Sequence, residues 1–451
     1  MLRLAVVNGT LLTPQGLVRA DLGVSGGRIV ALGDLPPAEE TLDATDLLVL
    51  PGAVDAHFHC RTPGYEERGD FYSETCAAAA GGTTTILEMP ISQPGCATPE
   101  IFRNRRRLIE EQAILDVGLY GAPGTLNRED VLGMAAEGAV AYKIFMHRAP
   151  LGRAEEFIGI CLTEDEELHQ ALRLVRETGL RLVVHCESDS MLEAGIARLR
   201  ATGRTDFAAH AQSRPAVVEA VAVARLLALA EDVGCPVHVA HVSCAQALQV
   251  VRRFRDLDVT AETCPHYLFF DETDVMRHGA FAKINPPIRS LADQAALWDG
   301  LLDGTLDLVT TDHAPYMLAE KQRDSVWMAP AGAPGAQALL PSMISAALRG
   351  RCTLQQAVAS IASGPARVFG LRRKGSVALG FDADLCLYDP RPPTRFTRSS
   401  MHSRAADVDR LYLDMDFQGR VVTTICGGRV IYHNGAVLAA AGSGRFLDPR
   451  C

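Results

Sequence analysis

Two histidines one residue apart, His57 and His59 in Val-Asp-Ala-His-Phe-His, close an apolar run. Alternate side chains of an extended strand share a face. Both imidazoles therefore point the same way, as two ligands of one metal ion must. Four more residues of metal-binding or acid–base type sit in or at the ends of other apolar runs. They are Lys143 in Ala-Tyr-Lys-Ile-Phe-Met, His185 in Leu-Val-Val-His-Cys-Glu, His241 in Val-His-Val-Ala-His-Val-Ser and Asp312 in Val-Thr-Thr-Asp-His-Ala-Pro. Imidazole and carboxylate donors suit Zn²⁺ first, and also Mn²⁺, Fe²⁺, Co²⁺ or Ni²⁺. Lys143 is the unusual member, because an ammonium repels a cation. Burial and nearby positive charge depress a lysine pKa. A neutral amine carboxylated by CO₂ becomes an anionic oxygen donor able to bridge two metals. Two such metals can share a hydroxide, with a pKa drawn towards neutrality, about 7 for a strongly activated zinc water.

Each residue alone has an ordinary reading. A single strand-end histidine is usually a satisfied polar group, and His169, His210, His278, His402 and His433 are read so. His238 is offset from His241 by an odd number of residues, which puts it on the other face as a structural residue. A lone Asp312 would cap a turn. The ordered joint placement is what selects the metal-centre reading.

The elements that must position these residues follow from periodicity. Apolar runs predict eight strands: Ala53–Ala56, Thr83–Met89, Asp116–Tyr120, Val140–Phe145, Arg181–His185, Pro236–His241, Val259–Thr263 and Leu306–Thr311. Helical patterns lie between them, Ala216–Asp232 being the clearest. Such alternation favours right-handed crossovers and a parallel sheet, and eight units fit an α/β fold of the (β/α)8 TIM-barrel type over residues 51–370. Barrel active sites occupy the C-terminal strand ends, where these six residues fall. A doubly wound open sheet is the competing arrangement. Residues 1–50 and 371–451 are strand-and-turn in texture. Leu4–Val7, Leu22–Val24 and Arg28–Leu32 precede the barrel region; Ser376–Leu379, Ala383–Tyr388, Val421–Cys426 and Arg429–Tyr432 follow it. These two ends predict one small β-sandwich domain built from both termini.

Composition excludes other classes. The 451 residues carry a formal net charge of −10 with both signs scattered, which argues against nucleic-acid and anionic-membrane surfaces. The dense basic run Arg103, Arg105, Arg106 and Arg107 reads as a solvated helix face. Twelve cysteines occur without CxxC or framework spacing, and the N-terminus has too short an apolar run for a signal peptide. No stretch is apolar enough to span a membrane. The expectation is a cytoplasmic protein.

At this point the chain resembles the cyclic amidohydrolases: dihydroorotase, allantoinase, hydantoinase and dihydropyrimidinase. The anchors run over nearly the whole chain. They are Pro-Gly-Ala-Val-Asp-Ala-His-Phe-His at 51–59, Ala-Gly-Gly-Thr-Thr-Thr at 80–85, Lys143, His185-Cys-Glu187, His241-Val-Ser243, Glu262-Thr-Cys-Pro-His-Tyr-Leu268, Asn285-Pro-Pro-Ile-Arg289 and Thr311-Asp-His-Ala-Pro315. The resemblance implies a metal-dependent barrel with a terminal β-sandwich. It implies that His57, His59, carboxylated Lys143, His185, His241 and Asp312 hold two divalent ions, zinc first, with Asp312 also the proton shuttle. A bridging hydroxide then attacks a ring carbonyl and opens a cyclic amide. Relatives form homodimers or homotetramers, so a homo-oligomer is expected. Non-catalytic scaffold relatives have lost metal ligands, and this chain keeps the full set.

Substrate motifs are mixed. Arg61 resembles the dihydroorotase arginine that binds a substrate carboxylate, and Thr-Asp-His-Ala-Pro and Glu320-Lys321 lean the same way. Ile91-Ser92 after Met89-Pro90, and Tyr316, depart from the dihydroorotase pattern. Glu88-Met-Pro90, Ser213-Arg214-Pro215 and Glu-Thr-Cys-Pro-His-Tyr-Leu resemble allantoinases and hydantoinases. The expected substrate is a small cyclic ureide, allantoin or a hydantoin, with dihydroorotate as the alternative. By analogy, ring contacts come from near Asn285 and the Ala331–Gly335 turn.

Overall fold

The computed structural model describes residues 1–150 and 152–450. All eight expected parallel strands are present. Three form one sheet in the order Asp116–Leu119, Thr83–Glu88, Ala53–Phe58. Five form the next, in the order Tyr142–Phe145, Leu182–His185, Val237–Val239, Val259–Thr263, Leu308–Val309. Parallel bridges join the two sheets at both edges, Gly121 to Tyr142 and Phe58 to His313. Lys143 N donates to Gly121 O at 2.9 Å at one seam, and His59 N to His313 O at 3.0 Å at the other. The first four strands named are buried along their whole length. That is the burial expected of a parallel sheet covered by helices on its outer face.

The helix Ala216–Val233 shows how local sequence sets these units. Pro215 precedes its first turn, and Gly234 ends it at φ 71°, its N–H returning to Ala230 O. Its buried stripe Ala222, Val223, Leu226, Leu227 and Ala230 recurs at helical spacing. The helix Phe71–Ala80 is different, with eight of its ten residues buried. Asp70 starts it through a reciprocal capping box with Ser73.

Both chain ends build the remaining sheets. Leu48–Pro51, just before the first parallel strand, pairs antiparallel with Leu385–Arg395 in a seven-stranded sheet. Asp416–Cys426 and Arg429–His433 continue it across the two-residue turn Gly427-Gly428, whose φ angles of 55° and 74° require glycine-like freedom. A second sheet, in the order Arg28–Leu32, Leu22–Ser25, Leu2–Val7, Ala38–Asp43, contributes Val6, Leu22, Val24 and Ile29 to a core shared with Leu385, Leu387 and Ile425.

Two expectations need correction. Ser376–Leu379 is not a strand; it lies in bends and turns leading to Leu385–Arg395. The basic run is also not wholly a solvated face. Arg103, Arg106 and Arg107 pair at the surface with Glu137, Glu110 and Glu111. Arg105, one helical face away, is fully buried. It meets Glu88 at 2.6 Å and donates to the carbonyls of Thr62 and Met89. No helix among the described residues is long and apolar enough to cross a membrane.

Candidate metal centre and active site

His57 lies within the strand Ala53–Phe58 and His59 directly after it. Their Nε2 atoms converge on one oxygen, Asp312 Oδ1, each at 3.3 Å. Donor atoms of His57, His241 and Asp312 lie within 4.8 Å of one another. The His241 ring is 4.5 Å from that of His185 and 5.3 Å from that of His57. The set drawn from five separate strand ends is therefore assembled on one rim. His241 stands two residues beyond its strand and Asp312 three beyond Leu308–Val309. The chain turns at both, with φ of 38° at His241 and 46° at Asp312. Arg61 has φ 60°, so three of the seven non-glycine residues with positive φ among the described residues belong to this region. Such conformations cost energy and concentrate where surrounding structure enforces them, characteristically at functional sites.

Lys143 is completely buried, and its Nζ has no hydrogen-bond partner among the described residues. Burial draws its pKa down to about 8, against the opposing pull of Glu262 and Asp312. Burial likewise brings His59 and His185 down to about 3 and His241 well below the usual histidine range. These are neutral imidazoles, the form that binds metal. Burial alone would raise Asp312, but His57 and His59 hold its carboxyl below the usual range. His59 Nδ1, His241 Nδ1 and His266 Nε2 are also buried without partners among the described residues. Unmet donors and acceptors are costly in a protein interior unless something else satisfies them. Neutral imidazoles, a carboxylate and an unpaired lysine amine fit a site for divalent cations, with Lys143 able to take up CO₂.

Carboxylates outside the expected set orient it. Glu262, from the strand Val259–Thr263, accepts from His57 Nδ1 at 2.5 Å, leaving Nε2 free for a ligand. His238 is buried and structural, as expected. However, its Nε2 lies 3.1 Å from the same Glu262, and its Nδ1 bonds the Thr260 hydroxyl at 2.8 Å. Glu187 accepts from His185 Nε2 at 2.9 Å and from Arg214 at 2.6 Å. His147, His185 and Glu187 form a second group with metal-like spacing, but the Arg214 ion pair already occupies Glu187, which makes it an anchor for His185. Asp55 holds the strand end before Asp312, accepting from Thr311 N at 3.0 Å and Thr311 Oγ1 at 2.5 Å. Sequence reasoning missed Glu262 as a functional residue. Its signal was a carboxylate inside the otherwise uncharged run Val-Thr-Ala-Glu-Thr.

The two expected substrate contacts are Arg61, two residues beyond His59, and Asn285. Arg61 is 3% exposed, and its guanidinium makes no hydrogen bond among the described residues. It stands 5.0 Å from the Tyr316 ring centre, and its charge lowers the proton affinity of His59. Arg68, Arg153 and Lys321 surround the same ring; Arg153 donates to the Tyr316 hydroxyl at 3.0 Å. Glu320 and Glu156 pair directly with Arg68 and Arg153, and Glu156 also acts on Arg61 through its charge without bonding to it. Asn285 Oδ1 is buried and without a partner among the described residues.

The model of the amidohydrolase family matches residues 48–431. The chain belongs to the amidohydrolase family. It is 37% identical over 455 residues to an allantoinase of Deinococcus radiodurans, covering 100% of this chain and 99% of that one. It is 33% identical over 428 residues to a dihydroorotase of Methanothermobacter thermautotrophicus, covering 95% and 94%. The solved L-hydantoinase (dihydropyrimidinase) from Arthrobacter aurescens superposes with TM-score 0.93 at 31% identity, covering 99% of this chain and 100% of that chain. The family and these relatives make the chain an enzyme of the hydrolase class.

Proposed function

We propose that this enzyme hydrolyses the ring amide of a small cyclic ureide or amide, with allantoin or a hydantoin as the leading substrates. The observation that carries the reading is the completely buried, unpartnered Lys143 Nζ on the rim that collects four imidazoles and Asp312. In this reading His57, His59, His185, His241, Asp312 and carboxylated Lys143 hold two divalent cations, zinc first. When bound, the cations supply Lewis acidity and water activation. In this reading the eight strands form a barrel over residues 51–370, which the two bridged seams support. Residues 1–50 and 371–451 make the β-sandwich domain. A reduced, cytoplasmic setting accords with eleven free cysteines among the described residues, and a homodimer or homotetramer rests on the family resemblance alone.

The protein's own groups then have separate tasks. Glu262 fixes the His57 tautomer with Nε2 outward, and Glu187 fixes His185. Asp312 is ionised and held by two imidazoles, so it can take a proton from the attacking water and pass it to the leaving ring nitrogen. Asn285 Oδ1 accepts from a ring N–H. Arg61 faces the exocyclic side of the ring.

Dihydroorotate is the second reading, and Arg61 favours it. A buried guanidinium that makes no hydrogen bond among the described residues is costly, and a substrate carboxylate would satisfy it in bidentate fashion. A panel of allantoin, hydantoins, dihydrouracil and dihydroorotate, run on enzyme loaded with zinc and bicarbonate, tests both. Turnover of none overturns the proposal. Asp312→Asn should retain metal and lose most of kcat; near-normal kcat with metal intact overturns the shuttle role.

A further inference from the structure

We infer that His313 is a positioning residue, which sets the substrate-side turn Ala331–Ala336 relative to the metal rim. This rests on the proposed function only in taking that turn as a wall of the ring site. His313 directly follows Asp312 and is fully buried, with its ring 4.6 Å from that of Phe58, between His57 and His59. Its backbone carbonyl accepts from His59 N at 3.0 Å. Its ring faces two different regions. Nδ1 lies 3.0 Å from Gly335 N and 3.3 Å from Ala336 N. Nε2 lies 2.8 Å from Glu74 Oε2. Backbone N–H groups can only donate, so Nδ1 is the acceptor and the ring proton sits on Nε2, donated to Glu74.

Glu74 is itself held from elsewhere. It is fully buried on the helix Phe71–Ala80 and accepts from Ser403 Oγ at 2.6 Å and Arg404 N at 3.1 Å. Ser403 and Arg404 belong to residues 396–415, the arm between the strands Leu385–Arg395 and Asp416–Cys426. Arg404 also donates to Glu66 O at 2.6 Å and pairs with Asp70, on the loop that leads from Arg61 into that helix. The arm reaches the turn from a second side. Tyr412 packs so close to Gly335 that a Cβ there would lie 3.2 Å from its Cε2. His313 therefore passes the position of the arm and helix to two N–H groups of the turn, while its own backbone is fixed to the metal rim.

Two half-mimics separate this role from a merely structural one. In His313→Asn the amide oxygen replaces Nδ1, which keeps the acceptor for the turn and gives up Glu74. In His313→Gln the amide nitrogen reaches Glu74 and the acceptor for the turn is lost. Both are made in the full chain loaded with zinc and bicarbonate. Hydrogen exchange across 331–336 is read by mass spectrometry, with metal content, and with KM and kcat on whichever ring the wild type opens.

Losing one buried hydrogen-bond acceptor should raise exchange and KM in His313→Gln by roughly fivefold to tenfold. Its kcat should stay within about threefold and its metal content should not change; His313→Asn, which keeps the acceptor for the turn but gives up Glu74, should raise exchange by only about threefold and keep KM, kcat and metal content within about twofold of wild type. Equal exchange in the two variants, or a loss confined to kcat, overturns the assignment. If either variant fails to fold, Ser403→Ala decides. It loosens Glu74 from the arm and should raise exchange at 331–336 by about threefold; no change there overturns the inference. A wild type that opens no ring defeats the proposed function, while the exchange comparison still decides His313.

Discussion

Lys143 and Lys374 are both buried lysines of this chain, at opposite ends of the parallel strands. Lys374 lies beyond the start of the strand Asp116–Leu119, bonded to Asp116 and Asp384 and 3.1 Å from Asp382. Burial lowers its pKa, but Asp384 and Asp116 outweigh it and hold the ammonium above the usual lysine range. Arg445 adds a second cation to Asp116. Asp116, Asp384 and Cys426 also have metal-like spacing, yet Lys374 fills that space. Lys143 has neither carboxylate nor carbonyl bonded to its Nζ among the described residues. The contrast separates two uses of a buried charge. A lysine bonded directly to its counter-charges holds the strand starts to the segment 370–384. A lysine with carboxylates near but none bonded to it is open to chemistry.

Exchanging both lysines for neutral residues should therefore give opposite phenotypes. Lys143→Ala should fold at wild-type stability and lose bound metal, with kcat falling on the order of a thousandfold or more. Metal analysis beside a thermal melt checks it; full metal occupancy would erase the contrast. Lys374→Met should leave metal content intact and strand two or more buried carboxylates. Its expected cost is about 3–5 kcal/mol of stability, read by urea unfolding. A loss below about 1 kcal/mol would place Lys374 among ion pairs that contribute little.

A smaller effect tests whether orientation matters as much as ligation. Glu262→Gln keeps the shape of the side chain beside His57 and removes its charge. Metal affinity should fall by about 10- to 100-fold, with the fold unchanged. Wild-type affinity by competitive chelation would show that His57 needs no anchor.

How far the sequence reaches is clear from these residues. The eight strands were legible because parallel strands covered by helices read as short apolar runs, and the six proposed ligands stood out because they interrupt or end those runs. What one sequence cannot show is which distant side chains meet. Glu262 is 205 residues from His57. Lys374 meets Asp116 across 258 residues. Arg105 looked like its surface neighbours because Glu88, its partner, belongs to another element. Ser376–Leu379 has strand-like residues but precedes the sheet in bends and turns. Arg61 was recognised through its motif, whereas its lack of a hydrogen-bond partner among the described residues is a fact of three dimensions.

Lys283 stands between the two extremes and gives the finest test of the comparison. Among the described residues its Nζ donates only to carbonyls, Val326 O at 2.7 Å and Ala329 O at 2.5 Å, and so tethers the segment before the turn at 331–336. Burial, with Arg214 and Arg200 in the same direction, draws its pKa down to about 7. The unfolded chain keeps an ordinary lysine, near 10.4. Between those values the unfolded state binds the extra proton, so this group makes stability rise with pH, by at most about 1.4 kcal/mol per pH unit. Below about pH 7 both states are protonated and the slope from this group vanishes. Urea unfolding of wild type and Lys283→Met at pH 6, 7.5 and 9 isolates it. The difference between the two proteins should be flat below pH 7 and shift in favour of wild type above it. A pH-independent difference would mean that two carbonyls hold an ammonium as well as the three aspartates around Lys374 do. The number of counter-charges would then no longer distinguish the two ends of the barrel.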